Sequence, residues 1–319
     1  MVEVPDIVVA TEDRVSQTFD VWPPIEPRIY HKIIDFYCEY PGPLYKFWGD
    51  LRRMRTQYER RGAYFPRQTT INQWISSLDS DNPSKPVREK CIATLEDYGF
   101  LEWNASQPRR VLRSSNEHFP YLTLHTILCI FSGTDLGFVP RISGSLDKLG
   151  PLKELFEEKL GLDYSIKELE ETNILLPDTE IRKPLGRLLH VLGAPSERKT
   201  ENLRMLPPFI YRLGKDFMGW CAHAVYEADG WISYLEDRPQ LRIGIPKITN
   251  QGHYDYVLGQ ICMLLKGAIG VPFNDFPHES GTKVYSVIGE SGIEREEYDE
   301  RITRFLEEHD LFLTELGLR

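Results

Sequence analysis

The sequence predicts an α+β fold in which an N-terminal helical domain precedes a larger domain of helices and antiparallel strands. Three observations lead there. A chain of 319 residues is long enough for two domains or one large one. In its first third, apolar residues fall three and four apart, the spacing of amphipathic helices. In its second half the pattern changes repeatedly and reads helix, strand, strand, helix, strand, helix.

Residues 1–27, ending "FDVWPPIEP", form an acidic, Pro-rich arm. A helical domain follows over 28–117. Its first two helices are "IYHKIIDFYCEY" and "LYKFWGDLRRMRTQYERR", separated at "PGP". Next, "PRQTTINQWISSLDSDNPSKPVREKCIATLEDYGFLEW" reads as a polar lead, a Trp-centred helix, a Pro-containing turn and a second helix ending at Gly99. "LEWNASQPRRVLRSS" is a short strand pair or a basic linker. Pro120 opens the second domain, 118–319, with the apolar segment "YLTLHTILCIFSGTDLGFV". "GPLKELFEEKLGL" and "IRKPLGRLLHVLG" are amphipathic helices, and Gly193 is placed to end the second. "PPFIYRLGKDFMGWCAHAVYEADG" is a turn and a long helix. After Gly230 come strands "WISYLE" and "QLRIGIPK", helix "HYDYVLGQICMLLKGAIG", strand "KVYSVIG" and a closing acidic helix. That helix carries Ile302, Phe305, Leu306, Leu311 and Leu313 as an apolar stripe for docking on the domain or on a protein partner.

Composition narrows the class. No apolar run reaches the roughly 18 residues a bilayer crossing needs, and "MVEVPDIVVATEDR" lacks a signal core. A cytoplasmic protein is expected, nucleoid-associated in a prokaryote, with no membrane partner. The five scattered cysteines suggest neither disulfides nor structural zinc. The net charge of −10 argues against nucleic acid at face value. It is unevenly spread, however: residues 28–113 carry 15 basic against 10 acidic side chains, and 274–319 carry 5 against 12. With a Debye length of about 8 Å at physiological salt, a local basic face can meet phosphate while acidic parts point elsewhere.

The junction "YEADGWIS" raises the sharpest chemical question. If Phe217 to Asp229 is helical, Glu227 and Asp229 fall in its last turn, where each carboxylate opposes the helix dipole at a cost of up to about 1 kcal/mol. A divalent cation offsets that cost, because Mg²⁺ takes one or two carboxylates together with water and phosphate. Turn chemistry alone also accounts for "ADG". Both readings stand on these residues.

The wider segment "GRLLHVLGAPSERKTENLRMLPPFIYRLGKDFMGWCAHAVYEADGWIS" resembles the second half-domain of the LAGLIDADG homing endonuclease family. The likeness runs from Gly186 to about Val271 and includes the lead "LGAPSERKT" and the segment "LPPFI". It implies a pseudo-symmetric αββαββα domain whose curved antiparallel sheet straddles DNA, with a degenerate first half over about 118–180 and a clearer second half over 181–319. By that resemblance Ala222–Gly230 is the signature, Ala224 the tight helix contact, Asp229 a metal ligand, Glu227 the acid two before it, and Lys247 a basic residue near the scissile phosphate. The first copy is "LHTILCIFSGTDLGFVPRIS", which sets Asp135, 94 residues earlier, opposite Asp229. There Leu136 follows the acid in place of glycine, and Ile130 occupies the small-residue position. Residues 140–180 show no clear long β-hairpin.

In the helical domain, Arg67, Gln68, Thr69, Thr70, Asn72 and Gln73 open a helix able to enter the major groove, where Arg, Asn and Gln read base edges. Lys85, Arg88, Lys90, Arg109, Arg110 and Arg113 are candidates for phosphate contacts, as are Arg198, Lys199 and Arg242 in the second domain. Alternatively Ile71, Trp74, Ile75, Ile92, Leu95 and Phe100 form one bundle core and the charges are solvated. The order of the two modules resembles archaeal proteins that pair them. Three functions stay open: a Mg²⁺-dependent endonuclease acting on double-stranded DNA through Asp229, Asp135 and Lys247; a non-catalytic DNA-binding regulator; and an RNA-processing or interaction protein.

Overall fold

The computed structural model describes residues 4–19, 25–60, 85–135, 138–169, 172–195, 206–235, 238–246, 251–278, 281–287 and 293–319, with residues 65, 66, 68, 71, 72 and 75. The arm forms strand β1 (Val8–Thr11) and helix α1 (Glu12–Gln17). Thr11 caps α1, its hydroxyl accepting the Arg14 N–H at 3.3 Å. Helices α2 (Ile25–Cys38) and α3 (Leu44–Arg60) flank the "PGP" break, as the spacing predicts. Buried Phe47 lies among the rings of Phe36, Tyr37, Tyr40 and Trp48, with centroids 5.0 to 5.6 Å away. Helix α4 (Lys85–Asp97) stops where Gly99 takes φ +71°, a conformation that costs glycine little. Strands β2 (Glu102–Asn104) and β3 (Arg109–Arg113) complete a three-stranded sheet in the order β1-β3-β2. "LEWNASQPRRVLRSS" is therefore a hairpin, and the arm supplies its third strand.

The single bundle core considered for this region is not formed. Ile71 packs with Ile29, Ile33, Phe47, Leu51 and Phe65. Ile92, Leu95 and Phe100 join the main core of the chain, together with Val9, Ala10 and Val15 of the arm. Trp74 lies outside the described residues. The split follows from α4, which packs against α1 and against the helix at Thr179–Leu192.

Residues 119–315 contain two successive runs of the same elements. The first is α5 (Phe119–Phe131), β4 (Gly133–Asp135), β5 (Pro140–Gly144), α6 (Leu146–Leu160), β6 (Tyr164–Leu169), β7 (Thr172–Pro177) and α7 (Thr179–Leu192). The second is α8 (Lys215–Asp229), β8 (Gly230–Leu235), β9 (Arg238–Pro246), α9 (Gln251–Ile269), β10 (Phe273–His278), β11 (Gly281–Ser286) and α10 (Arg295–Glu315). Their sheets have matching orders, β4-β5-β7-β6 and β8-β9-β11-β10, antiparallel throughout.

Two strands depart from the sequence reading. The hairpin β6–β7 is present where 140–180 shows none, and β10 precedes "KVYSVIG". Both β6 and β10 are edge strands, and edges keep charge and proline that interior strands reject. Lys167 and Glu168 on β6, and Asn274, Asp275 and Pro277 on β10, hide the strand pattern for that reason. The closing helix α10 buries Tyr298, Ile302, Phe305, His309 and Phe312 against α8, α9 and β9, so its stripe is used within the domain. Leu311, expected on that stripe, is 63% exposed. Among the described residues, no helix is long and apolar enough to cross a membrane.

Candidate functional site

Helices α5 and α8 lie against each other, and their C-terminal ends meet. Ala222 and Ala224 are fully buried, which lets the backbones approach. At the tips the Ser132 hydroxyl donates to the Ala228 carbonyl at 2.8 Å. Each helix runs straight into a strand through a glycine that has no room for a side chain. A Cβ on Gly133 would lie 2.1 Å from the Arg141 carbonyl oxygen, and one on Gly230 would lie 2.2 Å from Tyr226 Cδ2 and 2.5 Å from its carbonyl oxygen.

The sheet ladders fix which residues correspond. In the first run Gly133 faces Ile142, Ile142 faces Leu175, and Leu175 faces Ile166. In the second, Gly230 faces Ile243, Ile243 faces Val284, and Val284 faces Asp275. Gly133 is thus the counterpart of Gly230, 97 residues apart. The counterpart of Asp229 is Ser132, and that of Asp135 is Ile232. This corrects the pairing of Asp135 with Asp229. Asp135 lies two residues into its strand, opposite Pro140, because α5 already ends at Phe131, four residues before it.

The acidic partner Glu227 is already engaged. Its Oε1 accepts from Lys148 Nζ at 3.2 Å, and its Oε2 lies 3.4 Å from His309 Nε2. Burial pushes the Glu227 carboxyl up, but His309 and Lys148 outweigh it and hold the group below its ordinary value. The ion pair joins α6 of the first run to α8 of the second. At the helix tips the donor set is one carboxylate position, Asp229, and one hydroxyl directed at a carbonyl, which does not fit a metal shared between two carboxylates. Among the described residues, no group of three or more His, Cys, Asp and Glu is arranged to hold a metal ion. Lys247 lies outside the described residues.

On the second sheet Leu241, Ile243, Ile245 and Val284 face the helices, so the alternating residues occupy the other face. One row across it places Trp231 beside Arg242, Arg242 beside Tyr285, and Tyr285 beside Asn274. Arg242 Nε and a terminal nitrogen both donate to Gln240 Oε1, at 3.0 and 2.7 Å, which orients the guanidinium. Sequence reasoning singled out only Arg242 of this row. The signal for the rest is the period-2 alternation after "ADG", read across strands.

The basic strand β3 is matched by acids, most of them from the arm. Arg113 pairs with Asp6 at 3.0 Å, Arg110 with Glu12 at 3.1 Å and Glu96 at 2.6 Å, and Arg109 with Asp13 at 3.4 Å. Arg110 also lies over the Trp103 ring at 5.9 Å. Arg88 lies over Phe19 at 5.8 Å, half-buried, whereas Lys90 is exposed on α4. Gln68 and Asn72 are exposed in helical backbone, and Lys85 begins α4. Arg67, Thr69, Thr70, Gln73, Arg198 and Lys199 lie outside the described residues.

Arg187 on α7, missed in the sequence, ties these parts together. It is 1% exposed, donates to the Thr18 carbonyl and hydroxyl at 2.9 Å each, and lies between the rings of Phe19 and Phe138 at 3.6 and 4.2 Å. Phe138, just beyond β4, takes φ +61°, a strained value outside glycine. Gly186 allows this approach, since a Cβ there would lie 2.2 Å from the Phe138 carbonyl oxygen.

No family model matches the chain, and no curated protein sequence does. Among solved structures, the chain is similar to mesophilic variants of the homing endonuclease I-DmoI, with TM-score 0.37 and 14% identity, over 60% of this chain and 91% of that one. It is also similar to full-length DUF199/WhiA from Thermatoga maritima, with TM-score 0.34 and 16% identity, over 61% of this chain and 60% of that one.

Proposed function

We propose that the chain is a double-stranded DNA-binding protein whose second domain has the LAGLIDADG-type pseudo-symmetric architecture, and that it binds without cutting. The observation that carries this reading is the ladder equivalence of Ser132 with Asp229. Two paired runs place their helix tips together, as the signature resemblance implies, but only one tip carries the acid. A two-carboxylate metal site needs both. The first tip instead presents a hydroxyl that bonds the neighbouring carbonyl, and Glu227 is held by Lys148 and His309. The row Trp231, Arg242, Tyr285 and Asn274 supplies side chains suited to base edges and phosphates. The exposed polar residues Gln68 and Asn72 of the helical domain add a second contact.

The test is duplex binding and cleavage by the full chain. The logarithm of the affinity for a duplex should fall linearly as log salt rises. With Mg²⁺ present, wild type and Asp229→Asn should leave supercoiled DNA equally intact. Cleavage by wild type that Asp229→Asn abolishes would restore the nuclease reading. A flat salt plot, or tight RNA binding without DNA binding, would overturn DNA recognition itself.

A further inference from the structure

Between α8, the end of α9 and α10 lies a cavity of about 650 Å³, a volume typical of small-molecule sites. Part of its lining is aromatic. Trp220 and Phe312 meet edge to face at 5.6 Å and 77°, and His223 stacks on Phe305 at 4.4 Å. Gly219 lies on the same wall in the interior of α8. Glycine inside a helix is destabilising relative to alanine, and no close neighbour requires it here, because a Cβ would meet nothing within 4 Å. What its missing side chain preserves is room. His223 is 7% exposed and makes no hydrogen bond among the described residues. Burial, with His309 beside it, lowers its pKa to about 4, so it is neutral near pH 7.

The charge at the mouth gives the sign of the guest. Arg301 is held by Glu297 and the Gly270 carbonyl, and Arg304 by Glu300. The lining carries three cations, Lys215, Arg301 and Arg304, and three acids, Asp216, Glu308 and Glu315, and with Glu297 and Glu300 beside the two arginines the balance is acidic. Asp216, Glu308 and Glu315 make no ion pair among the described residues. Aromatic faces and carboxylates both attract positive charge, most strongly where a cation is partly desolvated. We propose that this cavity, walled by Trp220, Phe305 and Phe312 and rimmed by Asp216, Glu308 and Glu315, binds an organic cation of the alkylated-ammonium class. The site is independent of DNA binding.

The test uses choline chloride titrated into the full chain by calorimetry, with sodium chloride as blank. Wild type should show saturable binding in the millimolar range or tighter. Gly219→Leu fills the cavity from a position with open space, so it should weaken choline at least about tenfold while leaving the melting temperature unchanged or higher. Glu308→Gln, on the exposed rim, should weaken it by about threefold. Retained binding in Gly219→Leu would overturn the location. No saturable heat in wild type up to about 50 mM, a concentration above any useful affinity, would overturn the site. Equal binding of the neutral isostere 3,3-dimethyl-1-butanol would overturn the charge preference.

Discussion

Ser132 and Ala228 join the tips of α5 and α8, the hydroxyl of one donating to the carbonyl of the other at 2.8 Å. The bond spans the two runs of the second domain at the point where a paired-acid site would have its first carboxylate. It predicts that Ser132→Asp is destabilising, because a carboxylate would face a carbonyl with no hydrogen between them. The expected loss is about 1–3 kcal/mol, against about 1 kcal/mol for Ser132→Ala, read from urea midpoints. A stabilising Ser132→Asp would mean that the tips lie further apart than described.

Gly133→Ala and Gly230→Ala should each cost about 1–3 kcal/mol or more, since a methyl group would overlap backbone atoms that cannot turn away. Gly219→Ala should do the opposite, raising stability by about 0.5–1 kcal/mol through helix propensity alone. Thermal melts of the three variants check the contrast. Equal effects would contradict the tight helix-to-strand junctions.

In DNA binding, the arginines should separate by their partners. Arg242→Ala removes a group on the open face of the second sheet and should lower the salt slope by about 0.9, one phosphate's share. Arg110→Ala should barely change it, because Glu12 and Glu96 already neutralise that side chain. The reverse pattern, a slope unaltered by Arg242→Ala and lowered by Arg110→Ala, would move the contact surface to β3.

Acid should unfold the protein through its buried imidazoles. Burial lowers His125 to about 4, and burial with His309 lowers His223 to about 4. Between the ordinary histidine value and pH 4 the unfolded chain therefore binds the protons that the folded one refuses. Stability is full above about pH 6.5 and falls as pH drops toward 4, by about 2 kcal/mol per group on reaching pH 5. Glu227, held below its ordinary value, extends the loss to lower pH. His125→Gln should flatten urea midpoints measured from pH 7 to 5; an unchanged slope would show that His125 is not the titrating group.

Much of the chain was legible where burial writes a pattern. The all-apolar α5, the α8–β8–β9 succession and the break between α2 and α3 follow from spacing and turn residues. What stayed hidden has physical causes. Edge strands β6 and β10 carry charge and proline. Strand β1 belongs to a sheet whose other members begin some ninety residues later, so no local periodicity announces it. The acidic tip is hidden because "GTDLG" offers an acid near a glycine, whereas the correspondence is set by which glycine touches Arg141 and faces Ile142. Arg187 reads as a surface charge on an amphipathic helix, and only the return of Phe19 and Phe138 encloses it.

The pairing of β1 with β3 also bears on how the molecule is made. Val8 lies opposite Arg113, so β1 has nowhere to dock until about a hundred further residues have left the ribosome. Closing so long a loop is slow in comparison with forming local helices. The segment at 8–17 is made before its partner strand and settles late, and until then the apolar faces of Val9 and Val15 stay open to chaperones and to other nascent chains.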